Sequence, residues 1–179
     1  MICAGIDYST TSPSICIFKD DGTINPSNCV YHCFAIDKWR DGWSSIQNVN
    51  CYKLPKELRD LSKFKFLAEW TIEAIRWFDN RVQKVILEDY SFGSTGRVFH
   101  IAENVGVLKL KLLENGFRYE TVPPTVIKKF ATGKGNSNKE AMLEAWKKEP
   151  GTFDLIQESG NPASDIVDSY FLCKYGATQ

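Results

Sequence analysis

Two short apolar runs in this chain each end on a carboxylate. Ile2-Cys3-Ala4-Gly5-Ile6 leads into Asp7, and Val85-Ile86-Leu87 leads into Glu88. Their length and β-branched content mark both as buried strands. An acid at the end of a buried strand is costly unless something compensates it, so any fold must bring a partner to both strand ends. A second acidic pair, Asp165 and Asp168, lies in Ser164-Asp165-Ile166-Val167-Asp168-Ser169-Tyr170-Phe171. That segment has helical character, and a spacing of three puts both side chains on one helix face.

The remaining pattern supplies the frame. Strands are expected over 2–9, 13–19 and 28–36, joined by short connections as in an antiparallel meander. Residues 37–54 carry no clean period and read as an inserted loop. Pro55 suits the first turn of a helix running to about 80, with Leu58, Leu61, Phe64, Leu67, Ala68, Ile72 and Ile75 at helical spacing. A strand follows over 84–90, then a glycine-rich turn over 91–96. A helix over 97–114 comes next, stopped by Asn115-Gly116. A fifth strand over 117–122, helices over 125–132 and 137–148, an unreadable stretch over 149–160 and a last helix over 163–175 complete the chain. The order predicts one α/β domain over 1–179. Its five-stranded mixed sheet has the first three strands antiparallel and the rest parallel, with helices on both faces. Strands one and four are then adjacent, Asp7 and Glu88 are neighbours, and the last helix must cross their ends.

Gathered carboxylates need a cation, and an all-oxygen set without His or thiolate suits Mg²⁺ or Mn²⁺. The plainer alternative is that Asp165 and Asp168 decorate a solvated helix. A zinc site from Cys29, His32, Cys33 and Cys51 is disfavoured, because on a strand the two cysteines face one way and the histidine the other. The six cysteines read as reduced core thiols. Lys+Arg and Asp+Glu balance at 22 each, so no global charge announces a nucleic-acid binder and any such surface must be local. One local patch is evident: Lys128, Lys129, Lys134 and Lys139 occur in 124–139 without an acid. Such lysines contact phosphate, and Gly133 and Gly135 allow backbone N–H groups to approach one; a solvated basic helix end is the bland reading. Tyr90 and Phe92, beside the glycine turn, are candidates for stacking on bases. Trp39 and Trp43 are open to three roles: touching DNA, covering the sheet edge or joining a dimer. No apolar run spans a membrane and no secretory leader is visible, so a soluble intracellular protein is expected, in a bacterial cytoplasm or a phage- or virus-infected cell.

The order of elements, with Gly5-Ile6-Asp7-Tyr8-Ser9, Leu87-Glu88-Asp89, Asp165-Ile166-Val167-Asp168 and the stretch from Val126 to Lys139, resembles the RNase H-like nucleases. Within them it is most similar to the RuvC group of Holliday-junction resolvases, including small phage and viral members. The resemblance implies a two-metal endonuclease. Asp7 would bridge two Mg²⁺ ions (or Mn²⁺), Glu88 would bind one, and Asp168 with Asp165 the other. Lys128 and Lys139 would hold a phosphate. It further implies a homodimer that nicks two strands of a four-way DNA junction, leaving 5′-phosphate and 3′-hydroxyl ends. Members of the group can also carry an aromatic that intrudes on the junction centre, for which Tyr90 and Phe92 are the candidates. Other readings keep the metal site but change the substrate to a flap, an RNA–DNA hybrid or structured RNA, or make the chain a silent branched-DNA binder. Gly5-Ile6-Asp7-Tyr8-Ser9-Thr10-Thr11 also resembles the first phosphate hairpin of actin-like ATPases, but such proteins need two domains of this kind.

Overall fold

The computed structural model describes residues 2–18, 22–77, 82–89 and 98–179. The expected glycine-rich turn and its flanking Tyr90 and Phe92 lie outside them. The strands β1 (Cys3–Asp7), β2 (Ser14–Phe18) and β3 (Cys29–Phe34) form the antiparallel meander. β5 (Lys84–Glu88) lies parallel to β1, and β6 (Tyr119–Val122) parallel to β5. The register sets Ile6 opposite Leu87, so Asp7 and Glu88 follow as the next residues at the same sheet end.

Among the described residues the sheet has six strands rather than five, with β4 (Val49–Tyr52) at one edge, in the order β4-β3-β2-β1-β5-β6. The extra strand comes from the segment read as an inserted loop. Residues Asp37–Ser44 form helix α1, and Val49–Tyr52 form β4, which pairs parallel to β3. Trp43 explains why this short crossover is stable: it is wholly buried on the sheet, with Trp39 packed beside it. Covering the sheet is thus what Trp43 does. Helix α2 (Asp60–Arg76) starts five residues later than Pro55 suggests. Residues 56 and 57 turn instead, and the Ser62 hydroxyl donates to the Arg59 carbonyl at 2.6 Å to open the helix.

Alternation along β1 divides the core. Ala4 and Ile6 face α2 and α3 (Val98–Glu114), where Leu67, Ile75, Val105, Leu108 and Leu112 are buried. Cys3 joins the core on the opposite face, which is covered by α4 (Pro124–Thr132), α5 (Lys139–Lys147) and α6 (Ala163–Thr178). Helix α6 rests almost on the strand backbone. A Cβ at Gly5 would lie 2.1 Å from the Cys173 nitrogen and 2.4 Å from the Ser169 carbonyl oxygen. At Gly176 it would meet Ile86 Cγ1 at 2.5 Å and Cys3 Sγ at 2.6 Å. Small residues therefore line the seam, Ser14 and Ser169 share a hydroxyl hydrogen bond of 3.1 Å across it, and the Cys173 thiol donates to the Cys3 carbonyl at 3.2 Å. None of the six cysteines is in a disulfide, and five of them are buried. His32 is buried with Nδ1 3.0 Å from the Tyr52 hydroxyl, while Cys29 and Cys33 enter the core on the α6 face.

Candidate active site

Alternation points Asp7 and Glu88 to the α6 side of the sheet, and the tight seam brings the first two turns of α6 over them. Four carboxylates from three elements thus share one pocket of low dielectric. Each is held above its ordinary range. Burial is the largest cause for Asp7, followed by the charges of Asp168, Asp165 and Glu88. Glu88 is pushed up to about 7 by burial and then by Asp168. Asp165 rises to about 7 and Asp168 to about 6, burial again leading. Among the described residues no three acidic, His or Cys side chains stand, as placed, where together they could hold a metal ion. The acids are repelling neighbours, close enough to disturb one another's protonation.

Two lysines oppose that repulsion. Lys128, on α4, lowers Glu88 and Asp168, and Lys139, at the start of α5, lowers Asp7, Asp165 and Asp168. Lys129 and Lys134 are exposed on the outer flank. Gly133 ends α4 with φ +84°, and Gly135 lies against the Thr125 carbonyl, where a Cβ would come within 3.0 Å.

The donor set fits a hard divalent cation. Asp165 Oδ2 is buried without a hydrogen-bond partner, a costly state that an ion would relieve. All four groups offer oxygen, and their raised pKa values express the same unmet demand for positive charge.

Sequence reasoning missed three residues that hold the site. Ser12, and less strongly Ser164, lie beside Asp165 and oppose the rise in its pKa. Asn161 Nδ2 donates to Ser12 Oγ at 2.5 Å, Ser164 Oγ donates to Asn161 Oδ1 at 3.0 Å, and Lys139 Nζ donates to Ser164 Oγ at 3.3 Å. Ser9 shapes the turn that presents Ser12, its hydroxyl accepting from the Ser12 N–H at 2.8 Å. The hydroxyl-rich run Ser9-Thr10-Thr11-Ser12, one residue beyond Asp7, was the available signal.

No protein-family model and no curated protein matches the sequence. Solved structures do match its fold. RuvC of Thermus thermophilus superposes with a TM-score of 0.66 at 13% identity, over 99% of this chain and 96% of that one. The same protein in complex with a Holliday junction substrate gives 0.67 at 15%, over 99% and 93%. The fowlpox virus Holliday junction resolvase gives 0.52 at 16%, over the full length of both. The chain therefore shares the fold of these RuvC structures, with six strands in its sheet among the described residues.

Proposed function

We propose that this chain is a divalent-metal-dependent endonuclease that resolves four-way DNA junctions, in the service of recombination and repair inside a cell. The observation that carries the proposal is the meeting of Asp7, Glu88, Asp165 and Asp168 beside Lys128 and Lys139. The neighbours' own substrates, borne on the same fold, support branched DNA as the target. The whole of 1–179 acts as one nuclease domain.

The four carboxylates would hold two Mg²⁺ ions, with Mn²⁺ as a substitute. When bound, such a pair activates water, neutralises charge on the phosphoryl oxygens and assists the leaving oxygen. The chain's own groups do the rest. Lys128 and Lys139 fix the phosphate between them, with Lys129, Lys134, Gly133 and Gly135 as an outer rim. Ser12 and Ser164 set the orientation of Asp165. A water oxygen bonds to phosphorus as the bond to the 3′ oxygen breaks. The attacking water gives up a proton and the departing 3′ oxygen takes one up, so the products are a 5′-phosphate and a 3′-hydroxyl. Paired nicks need two sites, and α3 supports a homodimer: Phe99, Leu110 and Leu113 are exposed on it, and Gly106 has open space above it. Tyr90 and Phe92 remain candidates for contact with unpaired bases. No described helix is long and apolar enough to cross a membrane.

The test is cleavage of a labelled four-way junction in Mg²⁺ or Mn²⁺, beside linear duplex, flap and RNA–DNA hybrid, with Asp7→Asn as control. Symmetric paired nicks confined to the junction, and lost in the variant, are the expected result. Preference for a flap or hybrid would keep the metal site and discard the junction. No cleavage of any substrate would discard the nuclease.

A further inference from the structure

Two clefts flank the hydrogen-bonded residues that lie beside Asp165. One, of about 350 Å³, is bordered by Lys139, Ser164, Val167 and Asp168. The other, of about 590 Å³, is lined by Ser12 and Asn161, by Ala35, Ile36 and Leu54, and by Lys38, Lys53 and Lys56. The hydrogen-bonded series Lys139, Ser164, Asn161, Ser12 forms the saddle between them, and Ser12 at its end touches Asp165. The second cleft thus shares Ser12 and Asn161 with the residues that support Asp165, and none of the α4–α5 lysines lines it.

Its lining has the chemistry of a strand-binding groove. Three lysines face one acid, Asp37, which Lys53 holds at 2.9 Å while Arg40 and Lys56 also act on it. The lining therefore keeps an excess of positive charge in a chain whose charges balance. Between the lysines and the saddle the wall is apolar, with Ile36 66% exposed. A small anion has no use for that apolar stretch. A polynucleotide uses both parts, its phosphates toward the lysine rim and its sugars and base faces toward the apolar wall. The two ends of the α1–β4 crossover supply Asp37, Lys38, Lys53 and Leu54 to this lining, which gives a role to residues 37–54.

We propose that this cleft is a second nucleic-acid subsite, holding the DNA strand that leaves the scissile phosphate on the side opposite Lys128 and Lys139. It rests on the nuclease reading above. The test is the binding of a labelled four-way junction in Ca²⁺, measured by anisotropy across a salt series. Wild type is compared with Lys38→Ala/Lys53→Ala/Lys56→Ala and with the matching triple arginine variant, after thermal melts confirm that all three fold. Each phosphate contact contributes about 0.9 to the slope of log affinity against log salt. The alanine variant is expected to lose roughly 2 to 3 from that slope and to bind on the order of tenfold or more weaker, while the arginine variant keeps both. Wild-type binding with an unchanged slope in the alanine variant overturns the subsite and leaves the nuclease standing. Equal weakening in the arginine variant also overturns it, since charge would not be the cause. A wild type that neither binds nor cuts DNA overturns both.

Discussion

Strand β1 shows a different construction on each of its faces. Toward α2 and α3 it offers Ala4 and Ile6, which meet large side chains such as Leu67, Leu108 and Leu112. Toward α6 it offers Cys3, Gly5 and Asp7, and there the contact is backbone against backbone at Gly5. A layer of large apolar side chains buries much area, at about 1.5–3 kcal/mol for each fully buried one, and yields a little when one changes. A backbone contact has no such compliance. It does set the height and rotation of α6, and with them where Asp165 and Asp168 meet Asp7 and Glu88. One face supplies stability, and the other spends some of it on placing like charges together.

Paired substitutions break or sharpen this contrast. Gly5→Ala drives a methyl into the α6 backbone and is expected to cost more than about 4 kcal/mol, beyond the usual range for point changes. Leu67→Ala on the other face should cost about 2–5 kcal/mol by cavity formation, yet leave cleavage per folded molecule near wild type. Urea melts with cleavage assays check both, and equal loss of specific activity would refute the division of labour.

Charge gives the next effect. His32, buried on the α2 side, is lowered from 6.5 to about 4 by burial. The unfolded chain binds the proton more readily, so stability is lost as pH falls from about 6.5 through 4, by about 3 kcal/mol. A His32→Leu variant should lack that acid slope. The carboxylates act in the opposite sense. Their folded pKa values lie above the unfolded ones, so in metal-free buffer stability is present below about pH 4 and lost as pH rises through 6 to 7. Asp168→Asn should therefore abolish cleavage while stabilising the metal-free protein at pH 8 by about 1–2 kcal/mol; a destabilised variant would contradict the repulsion described. Similar in size is Gly176→Ala, whose added methyl meets the Ile86 and Cys3 side chains rather than backbone. It should cost about 1–3 kcal/mol by overpacking, less than Gly5→Ala in the same melts.

Much of this was legible in the sequence because it depends on local pattern. The runs ending at Asp7 and Glu88, and the three-residue spacing of Asp165 and Asp168, carry strand, helix and facing without any tertiary information. Strand β4 does not: Val49-Asn50-Cys51-Tyr52 is four residues long, half polar, and an edge strand defined only by its pairing with β3. Helix α1 contains Gly42, has no side-chain cap and depends on the burial of Trp43, a tertiary event. Pro55 carried a real helix-start signal but lay one turn too early, because the chain turns again at 56 and 57 before Asp60. Ser12 and Asn161 are polar loop residues 149 positions apart, and no local period links them. The lysines of 124–139 look alike in sequence, and only the packing of α4 and α5 separates Lys128 and Lys139 from Lys129 and Lys134.

The most direct test of the central claim, that the α6 seam holds four acids together for a divalent cation, is a thermal melt at pH 8 with EDTA and with 10 mM-scale Mg²⁺ or Mn²⁺. For submillimolar to millimolar binding, wild type should gain roughly 3 to 8 °C in Tm, and Asp7→Asn should gain little or nothing. A wild type that melts at the same temperature with and without either ion would contradict the account.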